Sequence, residues 1–251
     1  VLRALLICLA IAGCARAGKE NTIVGGIIDG GDGGEIPGPD GRLVDAPPGQ
    51  VTLSQTASLA ITLNNSLACV LGNAVTVENS YYRVFPLTDF GVTAGLHVIQ
   101  VEFAIQQATA GQMAATQPAT VRVGTYSGAP GGSTIDPAQL QMISSVEIRI
   151  ANGNGTRMTV PIEADIPALS NVYAELAIPN SSPEGNNQGN KFFVGTNTDT
   201  ETAPGYTFGP ECGVTPPRSM QSVAEENSSP GSNRRVRLVM SVTGMKDGFP
   251  K

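Results

Sequence analysis

Between positions 51 and 243 the apolar residues recur at every second position in short runs, and the runs are broken by turn-forming residues. Val146, Ile148 and Ile150 share one side of such a run while Glu147 and Arg149 take the other; Ile99, Val101, Phe103 and Ile105 likewise oppose Gln100 and Glu102. Successive side chains of a strand point to opposite faces, so this rhythm describes strands buried on one face. Asn152-Gly153-Asn154-Gly155, Gly128-Ala129-Pro130-Gly131-Gly132 and the Asn/Gly stretch 186–190 interrupt it with turn and loop chemistry. The runs 51–63, 74–77, 81–85, 97–105, 120–126, 142–150, 157–162, 172–178, 191–195 and 235–243 are the candidate strands. No stretch carries a comparable helical period. Asp136 before Pro137 can cap one short turn at most, since Asp accepts from the first free amides and Pro suits the first helical position. These features predict an all-β domain over 51–245. The expected form is an antiparallel β-sandwich of about ten strands, jelly roll being the natural connectivity, with 246–251 as a C-terminal tail.

The first seventeen residues are of a different kind. Arg3 precedes the uncharged apolar run 4–12, which has the length of a signal-peptide core and is too short to span a bilayer as a helix. Two cleavage readings compete. Ile11-Ala12-Gly13-Cys14 resembles a bacterial lipobox, in which the cysteine becomes the lipidated amino terminus; Ala15-Arg16-Ala17 fits an ordinary A-x-A site, which would remove Cys14 and release a soluble chain. The small residues at both positions before Cys14 favour lipidation. Ala15 after the cysteine points to the outer membrane, so the expected location is an outer-membrane lipoprotein or the extracellular space, with a lipid at Cys14 as the sole link to the membrane. Residues 18–50 then read as a tether, with Gly25-Gly26, Gly30-Gly31, Gly33-Gly34 and Pro47-Pro48-Gly49 leaving little to pack.

An exported chain meets an oxidising compartment. Cys69 and Cys212, the cysteines downstream of the signal, are therefore expected to form one disulfide. Charge excludes another class of partner: 21 acidic residues against 15 basic ones give a net charge of −6, with no basic stripe for nucleic acid. Arg234, Arg235 and Arg237 are the one basic cluster, and their alternation with Val236, Leu238 and Met240 places Arg235 and Arg237 on the solvated face of a strand.

Asn79-Ser80-Tyr81-Tyr82-Arg83-Val84-Phe85, Gly189-Asn190-Lys191-Phe192-Phe193-Val194-Gly195 and Pro210-Glu211-Cys212-Gly213-Val214-Thr215-Pro216 together resemble an uncharacterised all-β module of large secreted and surface proteins from environmental bacteria. The resemblance covers about 68–244. It implies an exported accessory domain and carries no catalytic residues.

The available chemistry is narrow. A catalytic triad or an ordinary zinc site needs histidine, and His97 is the single one; its phase with Ile99, Val101 and Phe103 predicts an inward position at the sheet margin. Glu163 and Asp165 share one face of a strand and resemble the opening of the E-x-D-x-x-E pattern of jelly-roll glycan hydrolases, but Ala168 stands where the third carboxylate should be. Binding without catalysis fits better, with a glycan or a surface protein as partner. With no Trp and five Tyr, Tyr82 and Tyr173 are the candidate sugar-stacking residues, Tyr173 because Val172, Ala174 and Leu176 occupy the opposite face of its strand. No resident cofactor is expected beyond one calcium ion that the loops 186–190 or 197–201 could hold. The alternative is a structural subunit of a surface assembly, built by strand addition at an open edge; 235–243 and 51–63 are the candidate edges.

Overall fold

A computed structural model of the chain describes residues 47–181, 189–229 and 234–248. The expected signal peptide, Cys14 and nearly all of the expected tether lie outside these residues. The strands in the first half are β1 (Gln50–Ser54), β2 (Val70–Leu71), β3 (Val75–Thr76), β4 (Asn79–Pro86), β5 (Leu96–Thr109), β6 (Thr116–Tyr126) and β7 (Leu140–Ala151). There follow β8 (Gly153–Ile166), β9 (Asn171–Ile178), β10 (Lys191–Val194), β11 (Thr196–Asn197), β12 (Tyr206–Gly209), β13 (Val214–Ser219), β14 (Arg237–Leu238) and β15 (Met240–Lys246).

Two antiparallel sheets carry the fold, as the alternation requires. The six-stranded sheet runs β13-β12-β4-β9-β6-β7. In the five-stranded sheet β5 is the spine, flanked by β8 on one side and by β15 and then β10 on the other, with β1 outside β15. The inner faces interlock in one core. Tyr81, Phe85, Val121, Val123, Val172 and Leu176 of the larger sheet meet Val101, Phe103, Val160, Ile162, Met240 and Val242 of the smaller one. Cys69 and Cys212, 143 residues apart in sequence, are joined as expected, with their Cα atoms 5.7 Å apart. The disulfide ties the segment before β2 to the turn between β12 and β13, and closing so long a loop stabilises the fold by roughly 4–5 kcal/mol in the chain-entropy picture.

Several local expectations give way. The run 97–105 does not alternate throughout, because β5 bulges at Ile99, which has no partner in either neighbouring register. A bulge adds one residue and reverses the phase. Leu96 and Val98 therefore point inward beside Val101 and Phe103, and His97 turns outward instead of inward, its Nδ1 2.7 Å from Oδ1 of Asp165. Of the expected edges, 51–63 shortens to β1, which is an edge of the five-stranded sheet; 235–243 leads into β15, which is not an edge, since it lies between β1 and β5. β13 escapes the sequence reading because Pro216 and Pro217 interrupt its pattern, and β12 because it is only four residues long. The helix α1 (Met220–Glu226) escapes it too, although Met220, Val223 and Ala224 recur at helical spacing and are buried, with Ser219 as the cap.

The core also contains a charge that alternation alone does not anticipate. Arg83 lies between Tyr81 and Phe85 on the inner face of β4 and is fully buried. Its Nη2 is 3.0 Å from Glu201 Oε2, and its Nη1 donates to the Ala203 carbonyl at 2.6 Å. Arg237 grips the same carboxylate at 2.8 Å, so it serves an internal pair and not the solvated face predicted for it. A buried ion pair adds little net stability but is costly to break from one side. The cluster fixes the 197–201 loop against β4 and β14.

Candidate functional site

Rows of residues directly opposite one another cross the outer face of the six-stranded sheet, and their composition changes abruptly from row to row. Val84, Tyr173 and Gly124 form the first. Next come Tyr206, Tyr82, Glu175, Arg122 and Ser145, and beyond them Phe208, Ser80, Ala177, Thr120 and Glu147. Cross-strand neighbours stand about 4.5–5.5 Å apart, so each row behaves as a unit.

The first row is filled. The Tyr173 ring lies over Gly124, where an added Cβ would come within 2.8 Å of it. Tyr82, Val84, Tyr126, Tyr173 and Tyr206 make a second apolar cluster outside the main core, sealed by Ile135. Ile135 comes from the connection between β6 and β7, which folds back along β13: its amide donates to the Pro217 carbonyl at 3.0 Å, and the Ser219 amide donates to the Ser133 carbonyl at 2.8 Å. Asp136 caps the short turn that follows, as its place before Pro137 predicts. Both tyrosines singled out from the sequence thus occupy the outer face, as period two requires, yet neither presents a ring face for stacking. Tyr173 is 2% exposed and Tyr82 7%. Alternation gives the side of the sheet and is silent about a loop arriving from elsewhere.

The third row is small, and a groove of about 780 Å³ opens along it. Its floor is Tyr82, Glu175 and Arg122 of the second row. Arg122 Nη1 donates to Glu175 Oε1 at 2.9 Å, with the Arg122 side chain 36% exposed and that of Glu175 8%. The Tyr82 hydroxyl lies beside Ser80 and Glu175; burial pushes it well above its ordinary range, and the Glu175 charge adds to the shift. At ordinary pH it is a fixed neutral phenol. Half-buried Phe208 closes one end, and exposed Glu147 and Arg149 rim the other. The groove therefore offers a phenol, a carboxylate, a guanidinium and one aromatic wall, all held on strands. Sequence reasoning found Tyr82 and missed Arg122, Glu175 and Phe208; the alternation Tyr206-x-Phe208 is the signal that could have found the last.

The other candidates disperse. Glu163 and Asp165 lie exposed on β8, in the other sheet, Asp165 engaged by His97. In the 197–201 loop Glu201 is held by two arginines and Asp199 accepts from Ser58 at 2.5 Å. Residues 186–188 of the other calcium loop lie outside the described residues. Among the described residues no three His, Cys, Asp or Glu side chains come together as a metal site, and no helix is long and apolar enough to cross a membrane.

No family model matches the chain, and no curated protein sequence matches it. Among solved structures it is similar to the cysteine protease and lectin-like domains of Cwp84, a surface layer associated protein of Clostridium difficile, at 10% identity and a TM-score of 0.47. The match takes in 80% of this chain and 37% of that one.

Proposed function

We propose that the chain is an exported, non-catalytic binding module that takes a glycan along the groove on the outer face of its six-stranded sheet. One observation carries the reading: the row Tyr82, Glu175 and Arg122 sets a phenol, a carboxylate and a guanidinium side by side on three strands, at the floor of a groove kept open by Ser80, Ala177 and Thr120. Sugar hydroxyls both donate and accept, and a charged pair that is already oriented serves both roles with little ordering at the moment of binding. Phe208 provides an apolar wall for a sugar's C–H face, the part given to Tyr173 on sequence grounds. The volume lies in the range usual for ligand sites.

The disulfide accords with an oxidising compartment. Cys14, if lipidated, and the Gly/Pro tether would hold the domain off an outer membrane, where a surface glycan could reach it. In this reading the domain is a copy of the surface-protein module that its motifs resemble.

Binding to a glycan array, followed by titration of the best ligand, tests the assignment. The double variant Arg122→Gln/Glu175→Gln removes both charges together and leaves no buried carboxylate unpaired. Hydrogen bonds to charged groups are worth about 1.5–3 kcal/mol, so affinity should fall by roughly 10- to 100-fold. No retained glycan at any concentration, or binding indifferent to this variant and to Phe208→Ala, removes the groove from consideration.

A further inference from the structure

The two long strands on one flank of the sandwich, β7 and β8, are both edges: among the described residues β7 pairs only with β6 and β8 only with β5. An open edge is a template for another chain, and proteins usually blunt one with proline, lysine or a covering segment. The two edges differ in this respect. β8 carries Pro161 near its middle, which removes an amide from any added ladder. β7 has no proline or lysine over its 12 residues, keeps Val146 and Ile148 only half-buried, and leaves Met142 56% and Ile143 41% exposed.

We infer that β7 pairs antiparallel with β7 of a second copy of the chain across a two-fold axis at Ile148. Charge complementarity selects the partner and the register. Glu147 and Arg149 are both exposed on the outer face of β7, two residues apart. When two copies run antiparallel with Ile148 opposite Ile148, Glu147 of each falls opposite Arg149 of the other, giving two symmetric ion pairs from one self-complementary segment. The same register sets half-buried Val146 opposite Ile150 of the second copy, on the inner face, so the exposed margin of the core is covered as the sheets join. Moving the register by one residue would set inner-face residues opposite outer-face ones. The two six-stranded sheets become one continuous sheet, and the two grooves, each rimmed by Glu147 and Arg149, come to flank the two-fold axis on the same face. The pairing depends only on the edge. It stands whether or not the grooves take a glycan, and where they do, it makes the assembly bivalent.

Sedimentation of the full chain over a range of concentrations reads the pairing directly. The unaltered chain should reach twice the monomer mass. Arg149→Glu turns each cross-axis ion pair into two opposed carboxylates, and Glu147→Arg turns each into two opposed guanidinium groups, so each single variant should stay at monomer mass. An equimolar mixture of the two should recover the dimer as a heterodimer, since unlike chains no longer oppose like charges at both pairs at once, one pair joining the two unaltered side chains and the other the two substituted ones. The double variant Glu147→Arg/Arg149→Glu should dimerise alone. The mixture also guards against folding defects, because an unfolded chain cannot be rescued by its complement. A monomer at every concentration, a dimer indifferent to both single reversals, or a mixture that stays monomeric would each overturn the proposal.

Discussion

The two halves of the six-stranded sheet's outer face are built on the same strands and finish in opposite states. Around Tyr173 the face is sealed into a second core; around Arg122 it is an open, charged groove. Strand propensity does not separate them, since β4, β6 and β9 run through both. Two things do. Tyr173, Tyr82 and Tyr206 fill the face on one side, while the row beyond Tyr82 is reduced between Phe208 and Glu147 to Ser80, Ala177 and Thr120. The connection between β6 and β7 turns back over the aromatic half and pairs with β13 there, leaving the other half uncovered. A face that reads as solvent-directed in sequence can thus be a core or a binding surface, according to where one loop lands.

The largest way to break this contrast is to remove the seal. Ile135 is fully buried and is the loop's one aliphatic anchor among the four buried tyrosines and Val84. Ile135→Ala should cost about 2–5 kcal/mol, the range for an aliphatic truncation that leaves a cavity in a core. Denaturant titration measures it. Ile143→Ala, at a position 41% exposed, should change the midpoint very little. Equal effects would mean that the loop rests on the tyrosines without packing into them.

That dependence on a distant loop also marks how far the residues alone could be read. The all-β class, most of the long strands and the Cys69–Cys212 pairing were legible, because period two and a count of two cysteines downstream of the expected signal are local or combinatorial signals. The phase of His97 was not, since the bulge at Ile99 leaves no mark in composition. The burial of Tyr173 depends on residues 127–139, whose Gly/Pro content reads as a loop and says nothing of where it folds. The groove floor was half legible. Tyr82 stands out as an aromatic, whereas Arg122 and Glu175 are ordinary outward charges until the register of β6 against β9 makes them neighbours.

A smaller effect separates the halves by titration. Burial raises the Tyr173 and Tyr206 phenols to about 12, from an ordinary value of 10.0. A phenol whose folded value lies above its unfolded one favours the folded state at low pH, and that contribution fades as the unfolded chain begins to ionise. The contribution is complete below pH 10 and is lost as the pH climbs to about 12. Stability followed by denaturant titration at stepped alkaline pH should fall across this window. Phenolate absorbance should lag behind that of the unfolded chain until unfolding sets in. Early ionisation of Tyr173, before any loss of structure, would place it on an open surface and erase the contrast.

The smallest effect on stability belongs to the open half, and it tests whether the groove is built to hold the fold or to meet something else. Glu175→Gln keeps the shape of the side chain and removes its charge. It leaves Arg122 one-third exposed, able to reach water, so no cation is stranded in the interior. A pair with one solvated member contributes little, and the variant should lose less than about 1 kcal/mol. The Tyr82 phenol should respond too, because the neighbouring carboxylate is one of the causes that raise it; with that charge removed it should titrate nearer its ordinary value. A loss as large as that of Ile135→Ala would make the Arg122–Glu175 pair a structural strut. A near-neutral stability change coupled to a large change in ligand affinity is the result expected of groups placed for a partner, because the sheet beneath them already stands on its inner face.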